Sequence, residues 1–225
     1  MTVALLAGLV LAWLMGSIPT AYLVGKAYGV DLRTVGSGNL GATNALRTLG
    51  WKAGLLVYAV DTLKGALPVA LLPRLLPVLF GGSSHPHWGL AFGLAAIVGH
   101  VRPVFLRGKG GGKGVATASG VFLALVPLPA LFALVSFIVT AWASRYISLA
   151  SLVGAVVLVV SVGVQYGVRA PVFGIAALVT AFVFYTHRDN IGRLRRGTER
   201  RLGDRTANAA NAAGESTASA AEQSR

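Results

Sequence analysis

What most constrains this chain is its series of long apolar runs. Residues 3–24, 53–72, 88–106, 115–142, 149–164 and 171–185 are built almost wholly from Leu, Val, Ala, Gly and aromatic side chains. Several approach or exceed the roughly 20 residues a helix needs to cross a bilayer. A soluble domain of 225 residues would carry about twice the 12% charged fraction found here. The runs therefore read as membrane spans. The expected fold is all-α, a polytopic membrane helical bundle forming one folded unit over residues 1–204.

The run 115–142 admits one long helix or two short ones broken at Pro127-Leu128-Pro129. Charge parity favours two. A single crossing would set Arg145 opposite Lys109 and Lys113 and leave the arginine-rich tail outside. Two crossings bring the total to about seven transmembrane helices and keep these charges on one side, with each half short enough to require tilting or local thinning. On that topology 17 of the 20 Lys and Arg residues face the same side, with Arg74 and Arg169 opposite and Lys64 inside a span. Basic residues mark the cytoplasmic side. The N-terminus is thus expected outside and the C-terminus in the cytoplasm.

Net charge is +13, but the positive charges sit between hydrophobic runs, where anionic lipid headgroups explain them and nucleic acid is not needed. Cysteine is absent, which removes disulfides, thiol catalysis and thiolate metal sites. Met1-Thr2-Val3 lacks the basic start of a cleaved leader and reads as the beginning of the first span. Residues 205–225 hold almost nothing larger than alanine to bury, so they are expected to form a disordered cytoplasmic tail.

Against this apolar background three polar segments stand out, and the topology puts all three at the cytoplasmic surface. The first runs from Gly36 to Arg47. Gly36, Gly38 and Gly41 let the backbone turn and approach a ligand, and successive free N–H groups make an anion nest. Ser37, Asn39, Thr43 and Asn44 add donors, and Arg47 adds a planar fork suited to phosphate. The second is Lys109-Gly110-Gly111-Gly112-Lys113-Gly114. It is not a P-loop, because Gly114 follows Lys113 and no glycine stands at 107, yet bare amides beside two ammonium groups and a helix start suit an oxyanion. The third is His187-Arg188-Asp189-Asn190, continuing to Arg193 and Glu199; His187 and Asn190, three apart, would share a face if the helix continues. Ser148 and Ser151, in a smaller inner loop after Arg145, can reach the same place. Asp61 and Lys64, three apart inside a span, are expected to pair. His85 and His87 fall on the outer side without a role, and for His100 the sequence does not separate packing from function.

Together these segments resemble the bacterial acyl-phosphate:glycerol-3-phosphate acyltransferase family. The matching pieces are GSIPTAYLVGK, GSGNLGATNALRTLG, DTLKG, GHVRPVFLRGKGGGKGVAT, RYISLAS and THRDNIGRLRRGTE, covering most of residues 16–65, 99–117 and 145–200. Two departures stand out. Three glycines rather than two separate Lys109 from Lys113, so either lysine can take the family role; Lys113 is favoured because GKGVAT continues in register. Arg102 replaces an aromatic or apolar residue. The resemblance implies transfer of a fatty acyl group from acyl phosphate to the 1-hydroxyl of glycerol 3-phosphate, giving lysophosphatidic acid and phosphate. It places Ser37, Asn39, Arg47, Lys113 and His187 in catalysis. Gly38, Gly41, Thr43, Asn44, Gly111, Gly112, Ser148, Ser151 and Asn190 would bind substrate. Acyl phosphate is already activated, so no metal, cofactor or covalent nucleophile is called for, and positioning with oxyanion stabilisation carries the rate. The expected partners are acyl phosphate, glycerol 3-phosphate and membrane lipid, and the expected state is a monomer. Acyltransferases using acyl-CoA commonly carry His, four residues, then Asp. The residues five after the four histidines are Leu90, Phe92, Phe105 and Gly192, so that motif is absent. The alternative is a membrane transporter of an organic phosphate, which would place its site near mid-membrane on broken, repeated helices.

Overall fold

The computed structural model describes residues 2–204, so the expected tail at 205–225 lies outside the described residues. All regular structure among the described residues is helical: α1 (Thr2–Gly16), α2 (Thr20–Ala27), α3 (Ala42–Leu49), α4 (Trp51–Phe80), α5 (Trp88–Val101), α6 (Val115–Leu125), α7 (Pro127–Ser144), α8 (Ile147–Tyr166), α9 (Pro171–Thr186) and α10 (Arg188–Arg195), with a 3₁₀ turn at Val104–Leu106. Among the described residues five stretches are long and apolar enough to cross a membrane: Val3–Ala27, Trp51–Phe80, Trp88–Leu106, Pro127–Ser144 and Ile147–Tyr166; α9 with α10 makes a sixth, bent by 58°. The seventh expected span corresponds to α6, whose 11 residues rise only about 16 Å. The chain does break between α6 and α7, at Val126, and Pro127 opens α7 at a position where its missing N–H costs nothing.

Two helices depart from the expected outline. The second apolar run ends at residue 72, just before Pro73, yet α4 runs through Pro68, Pro73 and Pro77 to Phe80 and stops only at Gly81, where φ is +72°. Each proline removes one backbone donor, a loss that neighbouring helices offset inside a membrane protein. The first span is also not one helix: α1 ends at Gly16, and Ser17, Ile18 and Pro19 separate it from α2.

Small residues set how closely the helices cross. α1 packs on α4 and α5, α6 on α4, α7 on α8, and α8 on α9. At the α4–α6 crossing a Cβ added to Gly120 would lie 1.8 Å from the Thr62 carbonyl oxygen, and one on Gly65 would lie 2.1 Å from that of Thr117. In lipid, helix association relies on such close contact, because tails outside are as apolar as leucine. Val69, Ile97, Val121, Phe122, Leu158, Val162 and Val179 fill the largest core, while Phe132, Val135, Ile138, Val139 and Trp142 of α7 remain exposed on its outer face. Smaller cores form around Phe92 and Trp88, and around Leu32 and Val57 beneath α3.

Gly120→Ala should therefore force α4 and α6 apart and lower the thermal midpoint in detergent by the equivalent of about 1–3 kcal/mol, the usual cost of overpacking. Gly174→Ala on α9, where an added Cβ meets nothing within 4 Å, is the control and should leave the midpoint unchanged.

Candidate active site

All three polar segments arrive at one cavity. It measures about 690 Å³ and is lined by Gly36 to Asn39, Gly41 to Asn44 and Arg47, from Gly111 to Ala116, by Ser148 and Ser151, by Thr186 to Asn190, and by Arg193, Glu199 and Arg200. Every residue to which the resemblance gives a catalytic or binding role lies on that wall: Ser37, Gly38, Asn39, Gly41, Thr43, Asn44, Arg47, Gly111, Gly112, Lys113, Ser148, Ser151, His187 and Asn190. Lys109 is exposed and outside the lining, so the structure brings Lys113 to the cavity.

The first loop is shaped from within by Asn44. Its buried amide accepts from the Ser37 N–H at 2.9 Å and donates to the carbonyls of Leu32 at 2.9 Å and Val35 at 3.2 Å. Both ends of that side chain are thus engaged in closing the loop. Gly36 and Gly38 take positive φ, +64° and +68°, conformations a side chain would strain. Asn39 Nδ2 reaches across to the Gly111 carbonyl at 3.4 Å and ties the first loop to the second. Arg47 projects from α3, donates to the Arg200 carbonyl at 2.8 Å, and keeps a buried Nε without a partner among the described residues.

Lys113 stands at the end of the glycine loop, just before Gly114, whose left-handed φ of +86° starts α6. Its ammonium donates to Asn190 Oδ1. The helix does not continue straight through His187. α9 ends at Thr186, His187 caps it, and α10 leaves at the bend. His187 Nδ1 lies 2.8 Å from the Val183 carbonyl. A carbonyl can only accept, so Nδ1 carries the proton in that bond and Nε2 is left as the ring's acceptor.

Glu199 received no role from the sequence, and the geometry makes it the centre of the third segment. Its buried carboxylate accepts from Ser148 Oγ at 2.8 Å, Asn190 Nδ2 at 2.6 Å and Arg193 Nε at 2.7 Å. Burial works against its charge, but the three donors and the Arg193 charge outweigh that and hold its pKa below the ordinary 4.5. Burial is also the largest influence on the two cations. It lowers Lys113, with Arg193 adding to the effect and Glu199 opposing it, and it lowers Arg47, again opposed by Glu199. Ser151 donates back to Ile147 O at 2.9 Å and keeps its place on the wall.

A second, apolar cavity of about 70 Å³ adjoins the first, between α6, α7, α8 and α9, lined by residues such as Ala118, Phe122, Ala133, Leu134, Leu158 and Val179. Tyr58, Val115, Phe137 and Ser151 line both.

This arrangement has close relatives. The family model described as glycerol-3-phosphate acyltransferase matches residues 6–197. The chain belongs to that family. Glycerol-3-phosphate acyltransferases from Geotalea daltonii (strain DSM 22248 / JCM 15807 / FRC-32) and Trichlorobacter lovleyi (strain ATCC BAA-1151 / DSM 17278 / SZ) are 47% and 49% identical over 189 residues, each alignment covering 84% of this chain and 92% of the relative. The crystal structure of PlsY (YgiH), an integral membrane glycerol 3-phosphate acyltransferase in its glycerol 3-phosphate form, superposes with a TM-score of 0.78 at 41% identity, covering 88% of this chain and 96% of that one. Its lysophosphatidic acid form gives 0.75 at 40% identity, with 88% and 95% covered. Family membership decides for an acyltransferase, an integral membrane enzyme, over a phosphate transporter.

Glu199→Ala should remove the common acceptor of Ser148, Asn190 and Arg193, reducing both thermal stability and turnover; Glu199→Gln should be milder. Because the folded-state pKa is depressed, its contribution to stability is present above the ordinary value and is lost as pH falls through the folded value. Unfolding midpoints measured from pH 6 downward should fall more steeply, from about pH 5 down, for the parent protein than for Glu199→Gln.

Proposed function

We propose that this glycerol-3-phosphate acyltransferase transfers a fatty acyl group from acyl phosphate to the 1-hydroxyl of glycerol 3-phosphate, releasing lysophosphatidic acid and phosphate in the first step of phospholipid synthesis. The observation that carries the reading is the joint between the two cavities. One is rich in amide, arginine and lysine donors, the other is apolar, and Ser151 and Tyr58 stand on both walls. That pairing fits reactants with phosphate heads and one apolar tail.

The chemistry follows from the donors. The glycerol hydroxyl attacks the acyl carbonyl, a new C–O ester bond forms, and the bond from carbonyl carbon to phosphate oxygen breaks. The proton leaves on the departing phosphate, either directly or by way of His187 Nε2. Arg47 and Lys113 neutralise phosphate, while Ser37, Asn39 and the amides of Gly38, Gly41, Gly111 and Gly112 direct it. Burial makes both cations harder to keep charged, so a dianionic ligand is a matched occupant. Asn190 and Ser148, with Thr43 nearby, orient glycerol 3-phosphate. Reactants held this way gain mainly from proximity and charge stabilisation. The proposed state is a monomer. The seven-span reading, with α6 as the short seventh, puts the site on the cytoplasmic side of the plasma membrane.

Purified protein should release phosphate with acyl phosphate and glycerol 3-phosphate and show no turnover with acyl-CoA; equal rates with both donors would overturn the donor assignment. Loss of a charge-assisted hydrogen bond costs about 1.5–3 kcal/mol, so Arg47→Ala and Lys113→Ala should lose roughly ten- to a hundred-fold in kcat/KM. Arg47→Lys should stay impaired for want of the bidentate fork, and Lys109→Ala should be milder than either.

The topology can be checked separately. In this cysteine-free chain, single cysteines at Ser84 and Ser216 should react with an impermeant thiol reagent from opposite faces, Ser84 from outside intact cells. Labelling of both from outside would overturn the orientation.

A further inference from the structure

Beneath the glycine loop lies a buried ionic group that the chemistry above does not use. Lys64 Nζ is 2.7 Å from Asp61 Oδ1 and donates at 2.7 Å to the carbonyl of Ile18, in the break between α1 and α2. His100 Nδ1 lies 3.8 Å from the same carboxylate oxygen. The side chains are 5% exposed for Lys64 and His100 and 2% for Asp61. Groups of this kind, so deep in membrane helices, mark pairing or function. The far edge of the imidazole meets the loop. A Cβ added to Gly112 would lie 2.2 Å from His100 Nε2 and 2.7 Å from its Cε1. One on Gly111 would strike the Val101 carbonyl oxygen at 2.0 Å. Asp61 and His100 also reach the wall of the polar cavity.

We propose that His100, backed by the Asp61–Lys64 pair, is a positioning residue that sets the Gly111–Gly112 backbone and, through it, Lys113 for phosphate binding. The inference rests on the acyltransferase reading of that cavity. Glycine loses more conformational freedom on ordering than any other residue, so a free loop of three consecutive glycines would charge that loss to each binding event. A ring packed against Gly112 removes the competing conformations beforehand, which raises affinity by preorganisation. The ring is held in turn. Asp61 faces its Nδ1, Lys64 neutralises Asp61, and Lys64 is anchored to the α1–α2 break. From the other side Asn39 donates to the Gly111 carbonyl, and the Leu40 carbonyl oxygen closes on Gly112, 3.0 Å from its added Cβ. The loop is thereby clamped between the end of α5 and the first polar segment.

The contact between Gly112 and His100 is steric, so it can be tested by suppression. Gly112→Ala should lower kcat/KM with acyl phosphate and glycerol 3-phosphate by about thirtyfold or more, and His100→Ala should raise KM for glycerol 3-phosphate about tenfold while changing kcat by less than about threefold. In the double variant the new methyl occupies the space the ring has left, so kcat/KM should return to within about fivefold of His100→Ala alone. His100→Gln should raise KM less than His100→Ala. Gly111→Ala, which meets backbone, should not be rescued. If His100→Ala fails to give a monodisperse peak in detergent, His100→Asn runs the same comparison. Multiplicative effects in the double variant, or a parental KM in the folded His100 variant, would overturn the inference. A parent protein that turns over neither substrate would instead sink the functional reading itself.

Discussion

The Glu199 carboxylate accepts from Ser148 on α8, Asn190 on α10 and Arg193 on the same short helix. Much of the polar end of the bundle depends on that convergence. Asn190, fixed by it through Nδ2, turns its Oδ1 to Lys113, so the third segment and the glycine loop are aligned through one side-chain amide. The neighbouring Arg200 carbonyl holds Arg47. Leu202 is bound in both directions to Arg145, at 2.6 Å through its N–H and 2.7 Å through its carbonyl, stapling this segment to the turn before α8. A buried acceptor with three satisfied donors rigidifies its surroundings, and each donor removed leaves part of a buried charge unpaired.

The same network explains why the cavity carries surplus positive charge without collapsing. Arg47, Lys113 and Arg193 share the wall with Glu199, and burial weakens solvent screening of Arg47 and Lys113. Repulsion among the cations is tolerated because Glu199 pairs with Arg193, while the Arg200 carbonyl and Asn190 take hydrogen bonds from Arg47 and Lys113 without neutralising them. Charge held in place by a rigid frame needs little reorganisation when an anion arrives, which is the physical content of electrostatic preorganisation.

Much of this was legible in the chain, and the limits have physical causes. Long apolar runs announce spans, and side-chain donors between them announce a site, because both depend on composition. The Asp61–Lys64 pair was legible from helical spacing and is present at 2.7 Å. Four features were not legible. The passage of α4 through Pro73 and Pro77 depends on packing against neighbouring helices, which local propensity does not contain. At the bend at His187, where the ring meets the Val183 carbonyl, the sequence leaves open whether the helix continues. Glu199 was hidden among arginines as an ordinary tail acid. The available signal was that one acid in an arginine-rich segment is placed to organise it, and only the fold shows that Ser148, 51 residues earlier, meets it. His100 was undecidable for the same reason, since its contacts come from α4 and from a glycine with no side chain to suggest a partner.

The shared wall of the polar and apolar cavities has a kinetic consequence. On the proposed reading, a donor whose head enters one cavity and whose tail enters the other can remain within the membrane throughout. Its encounter with the enzyme is then a two-dimensional search, and the quantity that governs saturation is its mole fraction among the surrounding amphiphiles. Glycerol 3-phosphate arrives from water and saturates by ordinary molarity. Adding inert lipid or detergent at fixed total donor would dilute one substrate and leave the other untouched, so the two halves of a single active site obey different concentration scales.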